Sequence, residues 1–228
     1  MAYLLTPMTQ SRALTEFAIR SALLARLQAH APKTDLLIEE LGIEHGAARV
    51  DVAVASDRLL GYEIKSDLDT LDRLAQQMHA YHRVFDALTI VTTVSFLDQV
   101  EALLPKWWGI MLAEPGNGSA VRLTEHRPAN SHQRQDALSI AALLWRDEAY
   151  AFVLEQLGAV IKSRATRAEL YELIAAEIPL PRIRDRVLAT LRTRVTVQRR
   201  LYVAGEQLTD GVDEMVVGRI AAPRRQIA

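Results

Sequence analysis

Between Arg49 and Lys65 apolar and polar residues alternate on both sides of an Asp57-Arg58 turn, and this constrains the fold more than any other stretch of the chain. Val50, Val52 and Val54 alternate with Asp51, Ala53 and Ala55, and after the turn Leu60, Tyr62 and Ile64 alternate with Gly61, Glu63 and Lys65. Successive side chains of a strand point to opposite faces, so the two runs predict neighbouring antiparallel strands. Glu63 and Lys65 then share one face while Ile64 points into the core. With the valines marking the core side of the first strand, Asp51 falls on the other side and can meet that pair.

The flanking patterns extend this to an α/β domain. Thr9 to His30 reads as a helix capped by Thr9, with Leu14, Phe17, Leu24 and Leu27 on one face and Pro32 past its end. Leu36 to Ile38 predicts a strand ahead of the glycine-punctuated connection through Gly42 and Gly46. Asp69 or Thr70 is placed to cap a helix whose stripe is Leu71, Leu74, Ala75, Met78, His82 and Phe85. Leu88 to Val94 then reads as a buried strand, Phe96 to Leu104 as a short helix and Trp108 to Ala113 as a strand. Pro115-Gly116-Asn117-Gly118 turns the chain into a hairpin over Ala120 to Thr124. The polar segment Glu125 to Gln135 has no apolar period and is taken as a domain boundary. Beyond it three helices are expected: Ala137 to Leu157, one opened by the capping box Thr166-Arg167-Ala168-Glu169, and one starting near Pro181. The expected organisation is an α/β domain over 1–130, a basic helical unit over 136–204 and a tail over 205–228 with no strong pattern.

The chain has 228 residues, half of them apolar, enough for an α/β core and a smaller appended unit. It has no cysteine, which removes disulfides, thiol nucleophiles and thiolate metal sites. No stretch approaches the roughly 20 apolar residues of a membrane span, and Met1 to Pro7 lacks a basic leader region, so a soluble cytoplasmic protein is expected. The net charge is -1, so any affinity for nucleic acid must come from uneven charge distribution. From Lys162 to Arg200 there are ten basic residues and four acidic ones. Lys162, Arg164, Arg167, Arg182 and Arg186 are the candidates for phosphate contact, unless they are simply the wet exterior of the helices.

Asp51 and Glu63 carry the chemistry of interest. Two carboxylates brought together in a low-dielectric cleft repel each other unless a hard divalent cation, Mg²⁺ or Mn²⁺, lies between them. Such a cation polarises a phosphoryl oxygen and acidifies a water, and Lys65 beside it is suited to hold the scissile phosphate or orient the attacking water. The plain alternative is a surface ion pair of Glu63 with Lys65, worth at most about 1 kcal/mol, with Asp51 as a solvated neighbour. Arg73, Gln77 and Tyr81 recur every four residues along the flank of the helix, either reaching the cleft or forming its wet margin. Asp67, Asp69 and Asp72 are assigned to helix capping. His79 and His82, without partners among the other histidines, are assigned to packing or exposure rather than zinc. Trp107 and Trp108 are read as core residues in preference to base-stacking ones.

Arg49-Val50-Asp51, Gly61-Tyr62-Glu63-Ile64-Lys65 and the following helix with Gln77 and Tyr81 together resemble the PD-(D/E)XK nuclease superfamily, in particular a little-characterised bacterial branch of it. Val50 stands where the proline that names the motif would be. The resemblance implies a restriction-endonuclease-like mixed sheet flanked by helices, followed here by a small all-helical C-terminal domain. It also implies Mg²⁺ bound by Asp51 and Glu63, Lys65 as the third catalytic residue, and cleavage of nucleic acid, with DNA the favoured substrate. An acidic residue ahead of the strands often joins such sites, and Glu16 and Glu40 are its candidates. A homodimer or a subunit of a larger complex is compatible with the resemblance, as is a nucleic-acid-binding or scaffold protein that keeps the fold without turnover.

Overall fold

Glu16–His30 forms helix α1, opened by the Thr15 hydroxyl, which accepts the Ala18 amide proton at 3.3 Å. In this computed structural model residues 13–203 are described, apart from 31, 33, 34, 133, 159 and 160. Thr9 and the segment 205–228 therefore lie outside the described residues. Ile19 and Leu23 of α1 are fully buried, whereas Phe17, expected on the inner face, is 77% exposed. The inward stripe is set by Ile19, Leu23 and their neighbours Leu24 and Leu27, which leaves Phe17 on the outer side of the helix.

Strands β1 (Leu36–Ile43), β2 (Ala48–Ala55) and β3 (Leu59–Lys65) pair antiparallel in sequence. Helix α2 (Leu74–His82) leads to β4 (Ala87–Thr93), and helix α3 (Leu97–Leu103) leads to β5 (Gly109–Pro115). These two crossovers make β3, β4 and β5 parallel, and β6 (Val121–Arg127) closes the sheet as an antiparallel hairpin with β5. The result is one six-stranded mixed sheet in the order β1-β2-β3-β4-β5-β6. Both crossovers step the same way along the sheet, and Leu74, Met78 and Tyr81 of α2 join Val100 of α3 on one face. Helix α1 covers the other face, over Val52, Ile64, Val91 and Met111.

The long helix expected over Ala137 to Leu157 is two helices, α4 (Ala137–Ala141) and α5 (Arg146–Leu157). Glu148 accounts for the break, since its carboxylate accepts the Trp145 amide proton at 2.6 Å and so caps a new helix start. The capping box at Thr166 and Glu169 opens α6 (Arg167–Glu177) as expected, and α7 runs Leu180–Val203. The helices after β6 do not stand apart from the sheet. Ile140, Phe152, Leu170, Ile174, Ile183 and Leu191 share one buried cluster with Ile38, Val50, Leu88 and Ile110, and Arg184 of α7 is ion-paired with Asp86 at the start of β4.

Helix α2 starts at Leu74, later than the expected cap at Asp69 or Thr70. The acidic residues before it fold the preceding loop instead of capping the helix. The Asp67 carboxylate accepts the Leu14 amide proton at 2.8 Å, Asp69 accepts the Ser66 amide at 2.9 Å and its hydroxyl at 2.6 Å, and Asp72 accepts the Thr70 hydroxyl at 2.9 Å. Within the helix Ala75 is exposed, whereas Tyr81, expected on the flank, is fully buried.

Candidate active site

Strands β2 and β3 pair only from Ala55↔Leu59 to Val52↔Tyr62, and beyond that point they part. Side chains fill the opening. In a continued ladder the Ile64 amide would face Val50; instead it donates to Asp51 Oδ2 at 2.7 Å. The Arg49 carbonyl lies 2.6 Å from the Tyr81 hydroxyl, which also lies 2.8 Å from Glu63 Oε2. On the other side of β2, Leu41↔Val50 and Glu39↔Val52 pair regularly with Glu40 between them at a φ of 57°, a left-handed conformation uncommon for a non-glycine residue. The strict alternation expected of β2 is broken at this point. Val50 joins the cluster on the α2 face and Val52 joins the one beneath α1, so both faces of the strand are core.

Glu63 and Lys65 point to the α2 face as the strand period requires, and the pair is buried, not a solvated surface ion pair. Glu63 is 1% exposed and Lys65 8%. Lys65 Nζ donates to Glu63 Oε1 at 2.9 Å and lies 3.4 Å from Gln77 Oε1, and the Gln77 amide nitrogen lies 3.3 Å from the Tyr81 hydroxyl. Gln77 and Tyr81 therefore reach the site from α2, one turn apart, while Arg73 is exposed and makes no side-chain contact with it. Burial first, and then the Glu63 charge, push the Asp51 carboxyl up to about 7, against the Ile64 hydrogen bond and the Arg20 and Lys65 charges. Burial and the Glu63 carboxylate likewise hold the Tyr81 hydroxyl far above its usual range, so it is a neutral donor.

Arg20 completes the site, and no sequence pattern singled it out. Its Nη1 donates to the Asp51 carbonyl at 2.9 Å and its Nη2 to Asp51 Oδ1 at 3.1 Å, while Nε meets Glu16 Oε1 at 2.5 Å and Nη2 meets Glu40 Oε1 at 2.6 Å. Glu39 lies 3.7 Å from Nη1, and Arg49 Nε holds the second Glu40 oxygen at 2.5 Å. Burial opposes the Arg20 charge, but the Glu16 hydrogen bond and the surrounding carboxylates outweigh it. Glu16 and Glu40, the two candidate accessory acids, thus both stand beside Asp51 with Arg20 between. The left-handed φ at Glu40 is what a search for hydrophobic period cannot reveal.

Among the described residues no group of three or more His, Asp or Glu side chains is arranged to hold a metal by itself. A fully protein-built cage is therefore not what the site offers. Mg²⁺ needs less, because it retains several waters and is commonly held by one or two carboxylates. Asp51 and Glu63 fit that requirement: both are hard oxygen donors, and burial, with the Glu63 charge after it, holds the Asp51 carboxyl well above its usual range.

The remaining candidates are dispersed. Lys162, Arg164, Arg167 and Arg182 are exposed, but Arg186 is ion-paired with Glu155 and lies 4.9 Å over the Phe152 ring, so it is not a free phosphate-binding cation. His82 accepts the Trp108 indole proton at 2.8 Å, and His132 stacks on Trp107 with centroids 4.1 Å apart, which makes this aromatic cluster a packing unit. Burial, and after it the charges of His132 and His79, lower His82 to about 4. Trp108 is fully buried. No helix among the described residues is long and apolar enough to cross a membrane.

Comparison with known proteins adds three findings. A solved structure described as "SPO1766 protein of unknown function from Silicibacter pomeroyi" aligns with 65% of this chain and 94% of its own, with 18% identity and a TM-score of 0.39. "Protein cII" of Enterobacteria phage P4 is 27% identical over 158 residues, which cover 69% of this chain but only 59% of the phage protein. The family model "Bacteriophage P4 protein cII" matches residues 9–211, nearly the whole chain and all of the site just described. The chain belongs to the bacteriophage P4 protein cII family.

Proposed function

We propose that the protein is a metal-dependent nuclease of the PD-(D/E)XK type, with a restriction-endonuclease-like core, that hydrolyses phosphodiester bonds in DNA. The observation that carries this reading is the buried constellation at the opening between β2 and β3. Asp51 and Glu63 crowd together there, with Lys65 held on Glu63 at 2.9 Å. A structural ion pair has no need of a second carboxylate pressed against it in a buried cleft, at a cost to its own ionisation.

In this reading Asp51 and Glu63 hold a Mg²⁺, which when bound supplies Lewis-acid polarisation of the phosphoryl oxygen and acidification of a water. Tyr81 fixes the Glu63 carboxylate through Oε2, leaving Oε1 to Lys65. Gln77 steadies the Lys65 ammonium, which turns to the scissile phosphate and stabilises the charge that builds up on it. The exposed cations Lys162, Arg164, Arg167 and Arg182 contact the backbone phosphates away from the cut. The phage origin of the cII relative supports a role in mobile-element processing.

A second reading also has an observation behind it. All four oxygens of Asp51 and Glu63 accept from protein donors: Arg20, Ile64, Lys65 and Tyr81. A site satisfied in this way also suits a nucleic-acid-binding or scaffold protein that never loads a metal. The deciding experiment incubates the purified protein with single- and double-stranded DNA and RNA in Mg²⁺ or Mn²⁺, beside Lys65→Ala and a chelated sample. Cleavage that requires metal and disappears in Lys65→Ala supports the nuclease. Salt-sensitive binding with no cleavage of any substrate rejects it for the binding protein.

A further inference from the structure

Five carboxylates gather around the opening between β2 and β3: Glu16, Glu39, Glu40, Asp51 and Glu63. Three cations, Arg20, Arg49 and Lys65, face them. With all groups ionised this leaves two negative charges in excess, the charge of one divalent cation. Arg20 is the only one of the three cations paired with Asp51, and it approaches Asp51 on both the carbonyl and the carboxylate.

The guanidinium is not equally committed to its partners. Its contacts with Glu16 at 2.5 Å and Glu40 at 2.6 Å are short, whereas Asp51 Oδ1 is at 3.1 Å. The side chain is only 13% exposed, so its charge is poorly screened and must stay close to carboxylates. Glu16, Glu39 and Glu40 can keep it neutralised after Asp51 is given up. Arginine suits such sharing, because its planar fork presents five donors and serves several carboxylates at once.

We propose that Arg20 is a positioning residue that gates metal entry: it holds Asp51 in the unloaded protein, and a divalent cation takes Asp51 only as the guanidinium withdraws onto Glu16 and Glu40. The inference rests on the reading of Asp51 and Glu63 as metal ligands, and it adds a built-in competitor to that site. The device keeps two crowded carboxylates partly neutralised when no metal is present. It also lowers metal affinity, since every binding event must displace a resident cation.

The test is Mn²⁺ binding to the full chain at pH 8, followed by the loss of the free-ion electron paramagnetic resonance signal. Wild type, Arg20→Gln, Arg20→Lys and Asp51→Asn are compared, each checked for cooperative melting. The expected result is binding that Asp51→Asn abolishes and that Arg20→Gln tightens roughly tenfold. Arg20→Lys is expected to bind more tightly than wild type and less tightly than Arg20→Gln, because it keeps the charge but loses the fork to Asp51. Where Arg20→Gln does not melt cooperatively, Arg20→Lys carries the comparison. Unchanged or weaker affinity in the Arg20 variants, with binding still lost in Asp51→Asn, overturns the gate and leaves the metal site standing. No Mn²⁺ binding by any variant, or binding indifferent to Asp51→Asn, overturns both.

Discussion

The Asp51 carboxylate accepts the Ile64 amide proton at 2.7 Å, so a side chain closes the sheet where the β2–β3 ladder has ended. Asp51 thereby has a structural bond and an electrostatic conflict at once, and the stability of the protein should report both.

The pH dependence follows from the raised Asp51 carboxyl, at about 7 in the folded protein against an ordinary value of 3.8. Between those values the folded state holds a proton that the unfolded state has released. Stability from this group is therefore fully present below the unfolded value and is lost as pH rises through about 7. In chelator, the melting temperature of wild type should fall from pH 5 to pH 8 more than that of Asp51→Asn, and Mg²⁺ should restore part of the loss at pH 8. Parallel pH profiles for the two proteins would contradict this account of Asp51.

Tyr81→Phe removes the donor shared by Glu63 Oε2 and the Arg49 carbonyl and leaves a buried carboxylate oxygen and a partly buried carbonyl without it. The expected cost is about 2 kcal/mol, read from urea unfolding. Tyr150→Phe, whose hydroxyl sits 3.5 Å from the Ile161 carbonyl at the limit of a hydrogen bond, should cost under about 0.5 kcal/mol. Equal costs for the two would mean that Tyr81 does not hold the site.

Gly61 lies two residues before Glu63, and a Cβ there would come within 2.6 Å of Leu88 Cδ2 and 3.1 Å of Phe85 Cδ1. Because those side chains are themselves buried, Gly61→Ala should destabilise by about 1–3 kcal/mol. At Gly42 the nearest atom to such a Cβ is 3.9 Å away, and the same substitution should shift the unfolding midpoint little. The comparison fails if both variants unfold at the wild-type urea concentration.

Two arginines of α7 should separate stability from binding. Arg194 is 7% exposed, is ion-paired with Glu148, donates to the Leu143 carbonyl at 2.9 Å and lies 4.2 Å over the Trp145 ring. Arg194→Ala should cost about 3 kcal/mol, because it leaves Glu148 partly buried without its partner. Arg182, exposed, should cost less than about 0.5 kcal/mol when replaced by Ala, while the salt dependence of DNA binding loses a slope of about 1. An unchanged slope would remove Arg182 from the proposed DNA-binding surface.

Much of this could be read directly from the chain. The alternation on either side of Asp57-Arg58 specified the β2–β3 hairpin, and a period of two was sufficient to put Glu63 and Lys65 on one face. The Thr166–Glu169 capping box and the Pro115–Gly118 turn were equally legible, because caps and turns depend on a few residues adjacent in sequence. The helix starts were less so. Asp69 and Glu148 belong to residue types that cap helices, but only the surrounding contacts decided that one folds a loop and the other splits a predicted helix in two.

What the sequence determined by itself is the hairpin and the shared face of Glu63 and Lys65, since strand periodicity and a short turn confine those residues, whereas the place of Asp51 was set by the break in the β2 alternation and the end of the ladder. The tertiary structure decided their environment. Arg20 reaches Asp51 across 31 residues of sequence, and Tyr81 reaches Glu63 across 18. Arg184, Arg186 and Arg194 are drawn into ion pairs with Asp86, Glu155 and Glu148. Charge on a helix face looks the same in sequence whether it meets water or a carboxylate from a distant element. The difference arises only when packing chooses the partner and removes the solvent that would have screened it.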